Sequence, residues 1–277
     1  GLLAADELNG FEFSTVVSRC KICPNSCMLT VNKFCGGDKF VSGNRCEKGA
    51  GKGKNQNQMP NLFEYKYQRL FKYRPLPESE AKRGIVGIPR VLNMYEDYPF
   101  WFTFFTELGF RVELSDRSSI RIYEKGIETI PSESVCYPGK LVHGHVMSLV
   151  EKGIKFIFYP CITHERQEQP NADNHYNCPI VISYPEVIKN NLDVLRDKAV
   201  NYMKPFLPYD HPKRMAKRIY KEFQAFKISE KDVNRSVAKA YQEQEAFKRD
   251  VRQAGEEALQ LIREKGIKGV VLAGRPY

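Results

Sequence analysis

The chain has 277 residues, 42% of them hydrophobic, and a formal net charge of +10 from 43 Lys and Arg against 33 Asp and Glu. That apolar share argues for a packed core and against disorder, and no apolar run approaches the roughly 18 residues that a membrane span needs. The basic balance suits nucleic acid, acidic partners or phosphorylated ligands. Its residues are spread out, however, and accompany no nucleic-acid module, so nucleic acid is not the expected partner.

The opening GLLAADELNG lacks the basic start and long apolar stretch of a secretory signal. A reducing, cytoplasmic setting follows as the expectation, in which clustered thiols serve metal or redox chemistry rather than disulfides. The chain begins on Gly without Met, which reads as a piece of a longer protein.

Five of the eight cysteines fall between Cys20 and Cys46. Cys20, Cys23 and Cys27 are spaced C-x2-C-x3-C, a run that can turn the backbone around one metal centre. The fourth ligand must be Cys35 or Cys46. MLTVNKF alternates, GGD carries turn chemistry and KFVSG resumes as a strand, which predicts a β-hairpin turning near residues 36–38. The hairpin returns Cys46 to Cys27 and leaves Cys35 at its tip, roughly 26 Å away at about 3.3 Å per residue, whereas a metal–sulfur bond is about 2.3 Å. Cys46 is therefore the expected ligand and Cys35 a bystander. Zinc and iron both accept four thiolates, and spacing does not choose between them.

GAGKGKNQNQMPN, residues 49–61, reads as a linker, so residues 1–60 form a Cys-rich metal-binding subdomain. In the next segment, 61–190, a buried strand is predicted at 83–90, an apolar helix at 97–108 and a strand at 110–114. A helix over 138–153 ends on Gly153, and strands follow at 154–160 and 179–185, with Pro185 opening a helix. Strands alternating with helices define an α/β class with a sheet covered on both faces. Residues 191–265 carry almost no strand signal. Val233, Val237, Ala240, Tyr241, Phe247, Val251, Ala254, Ala258 and Leu261 repeat at steps of three and four, as one face of a long helix. KGVVLAGRPY then starts a new strand over 266–277, as if a second α/β unit were truncated there.

Cys136 precedes a predicted helix and Cys161 follows a predicted strand, which places both for the carboxyl edge of the sheet, where ligands of open α/β folds gather. Cys178 reaches that edge only if its strand runs antiparallel or the 162–177 loop folds back. Each thiol by itself reads as a small buried hydrophobe; the three together could hold an iron–sulfur cluster with one open iron. His143 and His145 are two apart on a helix and do not share a face. His164 and His175 flank the loop between Cys161 and Cys178 and are candidates for groups supporting those thiols.

The stretches SGNRCEKG, CYPGKLVHGH, FIFYPCITHE, ADNHYNCPIVISYPEVIKNN and VLAGRPY resemble the large CoA-substrate-specific enzyme activase proteins, related to 2-hydroxyacyl-CoA dehydratases, over residues 15–277. The resemblance implies a Rossmann-like, dehydratase-subunit-type domain with a small Cys-rich N-terminal part. It also implies a fusion partner that hydrolyses ATP to drive an electron to very low potential, and a CoA-thioester or other small substrate. It implies that Cys136, Cys161 and Cys178 bind a 4Fe-4S cluster and that Cys20, Cys23, Cys27 and Cys46 form the family's N-terminal cysteine motif. No G-x-x-x-x-G-K-[ST] loop occurs, and GAGKGK follows no buried strand, so ATP is not expected to bind this chain. Two functions stay open: an electron-transfer or reductive-activation segment, and a zinc-stapled interaction module without redox activity.

Overall fold

A computed structural model describes residues 11–34, 37–46, 48–50, 60–197, 199–271, 273, 274 and 277. The chain divides into two compact units, residues 1–59 with 119–121, and residues 60–118 with 122–277.

The first unit contains a three-stranded antiparallel sheet of β1 (Phe13–Arg19), β2 (Met28–Phe34) and β3 (Lys39–Ser42), with β2 in the middle. The predicted hairpin is its β2–β3 half, with Thr30 opposite Ser42 and Lys33 opposite Lys39. The Phe34 amide donates to the Asp38 carbonyl at 3.0 Å and closes the turn. Strand β1 adds a third member that the sequence reading does not anticipate, pairing Arg19 with Met28. Cys35 and most of the 49–61 linker lie outside the described residues.

The second unit is built on a four-stranded parallel sheet. It contains β4 (Ile85–Ile88), β5 (Arg111–Leu114), β6 (Phe156–Phe158) and β8 (Asn201–Met203), in the order β5-β4-β6-β8. Two short strands, β7 (Cys161–Ile162) and β9 (Phe206–Leu207), form a separate parallel pair. Strands β8 and β9 fall inside the 191–265 segment expected to be helical. They are only three and two residues long, too short for a period to register.

The helices in chain order are α1 (Leu62–Leu70), α2 (Leu92–Glu96), α3 (Tyr98–Glu107), α4 (Ile120–Gly126), α5 (Tyr137–Glu151), α6 (Pro179–Asn191), α7 (Asp193–Arg196), α8 (Pro212–Glu222) and α9 (Glu230–Lys265). Helix α3 is mostly apolar and mostly buried: Tyr98, Phe100, Trp101, Phe104 and Phe105 are each at most 2% exposed, while Thr103, Thr106 and Glu107 are half-buried. Its first amides have no partner inside the helix, as at every helix start. Buried Gln244 of α9 meets this need, accepting from the Phe100 amide at 3.2 Å and donating to the Glu96 carbonyl at 3.0 Å. Arg69 of α1 fastens to the same long helix, donating to Glu243 and Asp250.

The predicted long helix is α9, but only Val233 through Phe247 of its apolar stripe is buried; Val251, Ala254, Ala258 and Leu261 stay partly exposed. Gly153 adopts φ +78° just after α5, as its place at a helix end predicts.

One expected strand is corrected. Residues 179–185 are not a strand that ends where Pro185 opens a helix; they form the first half of α6, with Pro185 inside it. PIVISYP has the β-branched content of a strand, yet Val181, Tyr184, Pro185 and Ile188 are its buried residues, at helical spacing. Pro179 sits in the first turn, where its missing N–H costs nothing. The interior Pro185 forgoes one helical hydrogen bond. Burial of one helix face outweighs local propensity here. At the C-terminal end the expectation is a strand whose sheet partners belong to a truncated unit. No described residue of 266–277 is in a strand, and Val270 and Val271 are 96% and 92% exposed. A strand needs a neighbour for its ladder, and this segment has none among the described residues.

Candidate functional site

In the first unit, pairing brings Cys20 and Cys27 together at one end of the sheet, with Cys23 in the connection between them and Cys46 four residues past β3. The Cys20 amide donates to the Cys27 carbonyl at 2.8 Å, and the Ser26 amide to the Cys23 carbonyl at 3.2 Å. The β2–β3 pairing ends at Thr30 and Ser42, and the chain leaves the ladder at Gly43 with φ +79°, so the register does not fix the position of Cys46. Cys20 is buried, Cys27 half-buried, and Cys23 and Cys46 exposed.

In the second unit, Cys161 begins β7, just past the carboxyl end of β6, and is fully buried. Burial, with the Glu186 carboxylate adding to it, pushes its thiol up to about 12. Cys178 arrives by a fold-back of the loop. His164 bridges Tyr176 in antiparallel fashion, the Glu165 amide donates to the His175 carbonyl at 2.9 Å, and the Asn177 amide to the Thr163 carbonyl at 2.8 Å. The Asn177 side chain donates to the Ile162 carbonyl at 3.1 Å, which ties the residue before Cys178 to the neighbour of Cys161. Cys178 is the N-cap of α6 and Cys136 the N-cap of α5. The two helix starts touch: a Cβ on Gly139 would lie 3.2 Å from Ile180 and 3.6 Å from the Cys136 sulfur.

Three buried polar atoms stand unpaired near these cysteines: the hydroxyls of Tyr159 and Tyr184, which can donate, and Nε2 of His143, an acceptor because the Thr129 hydroxyl donates to the Gly126 carbonyl and so leaves the ring proton on Nδ1. Burial and the neighbouring Cys136 push Tyr184 up to about 12. Tyr159 is driven well above its ordinary range by burial, then by Cys161 and Tyr184. The His143 ring meets Tyr184 edge-on at 5.7 Å, and its Nδ1 lies 2.8 Å from the Thr129 hydroxyl. Burial lowers His143 to about 4, so it is neutral at pH 7. His145 differs. Its Nδ1 lies 2.8 Å from the Ser115 hydroxyl and its Nε2 3.0 Å from the Ser118 hydroxyl, so neither nitrogen is free for a ligand. His164 and His175 stand with ring centres 5.1 Å apart.

The residue types, rather than a formed cage, suit a thiolate-held metal centre. Every described cysteine is a free thiol, two cap helix starts where the dipole favours the thiolate, and buried polar donors lack partners beside them. Among the described residues, no three His, Cys, Asp or Glu side chains form a group that could hold a metal ion.

A second polar group is not signalled by the sequence. Asp97 is 4% exposed, and its Oδ2 has no partner. Burial, then nearby Glu165, raise it well above the usual carboxylate range; Lys248 opposes this and Glu96 adds to it. Glu165 is raised too, by burial first, while Asn177 donates to it at 2.7 Å. A raised native pKa means that the folded state holds its proton more tightly than the unfolded chain. The resulting stability is complete below the unfolded value near 4 and is lost as pH rises through the native value. Asp97→Asn keeps the shape and removes the charge. Its melting temperature is expected to gain on the wild type between pH 5 and pH 9, by about 3 °C for each kcal/mol of lost charge burial. A pH-independent difference in thermal melts would contradict this.

A cleft of about 950 Å³ opens past the ends of β7 and β9, lined by Thr163, His164, His175, Phe206 and the basic face of α8. No described helix is long and apolar enough to cross a membrane.

The second unit is thus a parallel α/β domain with three cysteines on adjoining elements at the carboxyl side of its sheet. Residues 85–277 match the family described as the CoA enzyme activase uncharacterised domain (DUF2229), and the chain belongs to that family. Searches of curated proteins and of solved structures returned no match.

Proposed function

We propose that this chain is an iron–sulfur segment of a CoA enzyme activase, in which Cys136, Cys161 and Cys178 hold a 4Fe-4S cluster. Cys20, Cys23, Cys27 and Cys46 hold a second centre in the N-terminal unit. The reading is supported by the unpaired Tyr159 and Tyr184 hydroxyls, buried near thiols on adjoining elements. Such donors cost roughly 1–3 kcal/mol each when left without a partner. A sulfur-rich group in their midst would relieve that cost.

When bound, the cluster supplies one electron at low potential to a substrate or to another centre. The chain's residues set the conditions. Cys136 and Cys178 present sulfur at helix N-termini, where the dipole stabilises negative charge. Tyr159 and Tyr184 offer hydrogen bonds of the kind that tune cluster potential, and burial of Tyr159 and Cys161 keeps water away. The proposed partners are an ATP-hydrolysing activator and a CoA-thioester or similar small substrate, in keeping with the family.

Anaerobic purification followed by iron, sulfide and zinc analysis tests the reading. Brown protein with a broad absorbance near ~400 nm and acid-labile sulfide is the expected result. Colourless protein with one zinc per chain would replace it with the zinc-stapled module. For the N-terminal centre, Cys46→Ser is expected to lose one metal centre and to lower the melting temperature of the first unit, whereas Cys35→Ser changes neither. Metal loss in Cys35→Ser would overturn the choice of Cys46.

A further inference from the structure

We propose that the cleft beside α8 is a binding site for a small molecule carrying a diphosphate group. The proposal is independent of the cluster reading, because none of the proposed metal ligands lines the cleft.

Helix α8 is sharply two-sided. Met215, Ala216 and Ile219 are buried. Arg214, Lys217, Arg218 and Lys221 follow one another at steps of three, one and three, which is one face of a helix, and all four line the cleft. Arg218 is engaged by Glu222 of its own helix at 2.6 Å. Among the described residues, Arg214, Lys217 and Lys221 have no ion-pair partner. Like charges at these spacings repel by a few tenths of a kcal/mol per pair. The arrangement is therefore unfavourable until an anion enters.

The remaining walls sharpen the ligand's chemistry. His164, His175 and His211 add three imidazoles, and Asp210 is the one carboxylate in the lining. That carboxylate is occupied by its neighbours: His211 Nε2 is 3.2 Å from Asp210 Oδ2 and His175 Nε2 is 3.9 Å from it. Three cations without an ion-pair partner among the described residues, Arg214, Lys217 and Lys221, suit a ligand with more than one negative charge. Arg214 and Lys221 are two turns apart, about 10 Å along the axis, too far for a single phosphate to reach both. A diphosphate spans more of this row. Phe206 is 52% exposed and lines the same cleft, offering a ring face to an aromatic or apolar portion of the ligand. A volume near 950 Å³ is that of a small-molecule site. It is a concavity rather than the extended basic surface that tracks a nucleic-acid backbone. The cleft also lies past the carboxyl ends of two parallel strands, where α/β proteins bind ligands.

Calorimetric titration of the whole chain with inorganic pyrophosphate, ADP, adenosine and a 16-nucleotide single-stranded DNA tests this. The expected result is saturable one-to-one binding of pyrophosphate and ADP, with none of adenosine. Tighter binding of ADP than pyrophosphate, lost in Phe206→Ser, would assign the ring face to a nucleoside. Equal binding of the two would assign the site to the diphosphate alone. Lys217→Gln with Lys221→Gln is expected to weaken either ligand at least tenfold, since one charge-assisted hydrogen bond is worth about 1.5–3 kcal/mol. An unchanged melting temperature and helical circular dichroism would separate that loss from misfolding. The single variant Arg214→Gln, outside the last turns of α8, repeats the test if the double variant melts early. No binding of either phosphate, binding indifferent to these substitutions, or DNA binding without ADP binding would overturn the proposal.

Discussion

Cys161→Ala, purified without oxygen, is expected to lose the ~400 nm band and at least half of the iron, and to lose more stability than truncating a buried thiol explains. As a packed apolar group, Cys161 contributes one sulfur's worth of burial, about 1 kcal/mol. As a ligand it closes a cofactor that binds only the folded chain, and such binding adds directly to folding stability. Cys136 is exposed and Cys178 half-buried, so their alanine variants remove little packing. Iron loss in Cys136→Ala and Cys178→Ala, with apo-protein melting unchanged, would isolate ligation from core repair. Full iron content in all three variants would remove the cluster from this edge and leave Cys161 as a buried hydrophobe.

Gly144→Val is expected to lower the melting temperature by at least 10 °C. Helices α4 and α5 meet backbone to backbone at this point. A Cβ on Gly144 would lie 1.6 Å from the Ile122 carbonyl oxygen, and one on Gly126 would lie 2.2 Å from the Gly144 amide nitrogen. Both obstacles are main chain, so no side-chain rotation relieves them and α5 must move as a body. Overpacking a core typically costs about 1–3 kcal/mol, and a main-chain clash stands at or above that range. The consequence reaches the site, because α5 begins at Cys136 and carries His143. Gly255→Ala on α9 is the control: nothing lies within 4 Å of its added Cβ, and alanine gains helix propensity of up to ~1 kcal/mol. Thermal melts of the two variants read the contrast, and a wild-type melting temperature for Gly144→Val would refute the close crossing.

Much of the fold is legible in local pattern. Helix α5 and the β2–β3 hairpin carry clean periods, while helix α3 and strands β4 and β6 show as continuous apolar runs that are buried on more than one side. Charge at helical spacing on α8 is equally plain in the letters, and it reads there as a solvated face. Only the third dimension turns that face toward a cleft rather than open water.

The tertiary structure alone decides the rest. PIVISYP becomes helix because Val181, Tyr184 and Ile188 find a core that rewards helical spacing, whatever their local preference. The strand-like tail at Val270 and Val271 stays unpaired because a ladder requires a second chain segment. Asp97 and Glu165 stand 68 residues apart in the chain, and no spacing rule joins them. Their perturbed protonation is a property of shared burial, which long-range packing creates. The sequence by itself determined which thiols exist, that the class is α/β, and that Cys161 follows a strand. Whether the loop returns Cys178 to it, and which buried hydroxyls surround the three sulfurs, depended on contacts between distant segments, whose free energy no local window of residues contains.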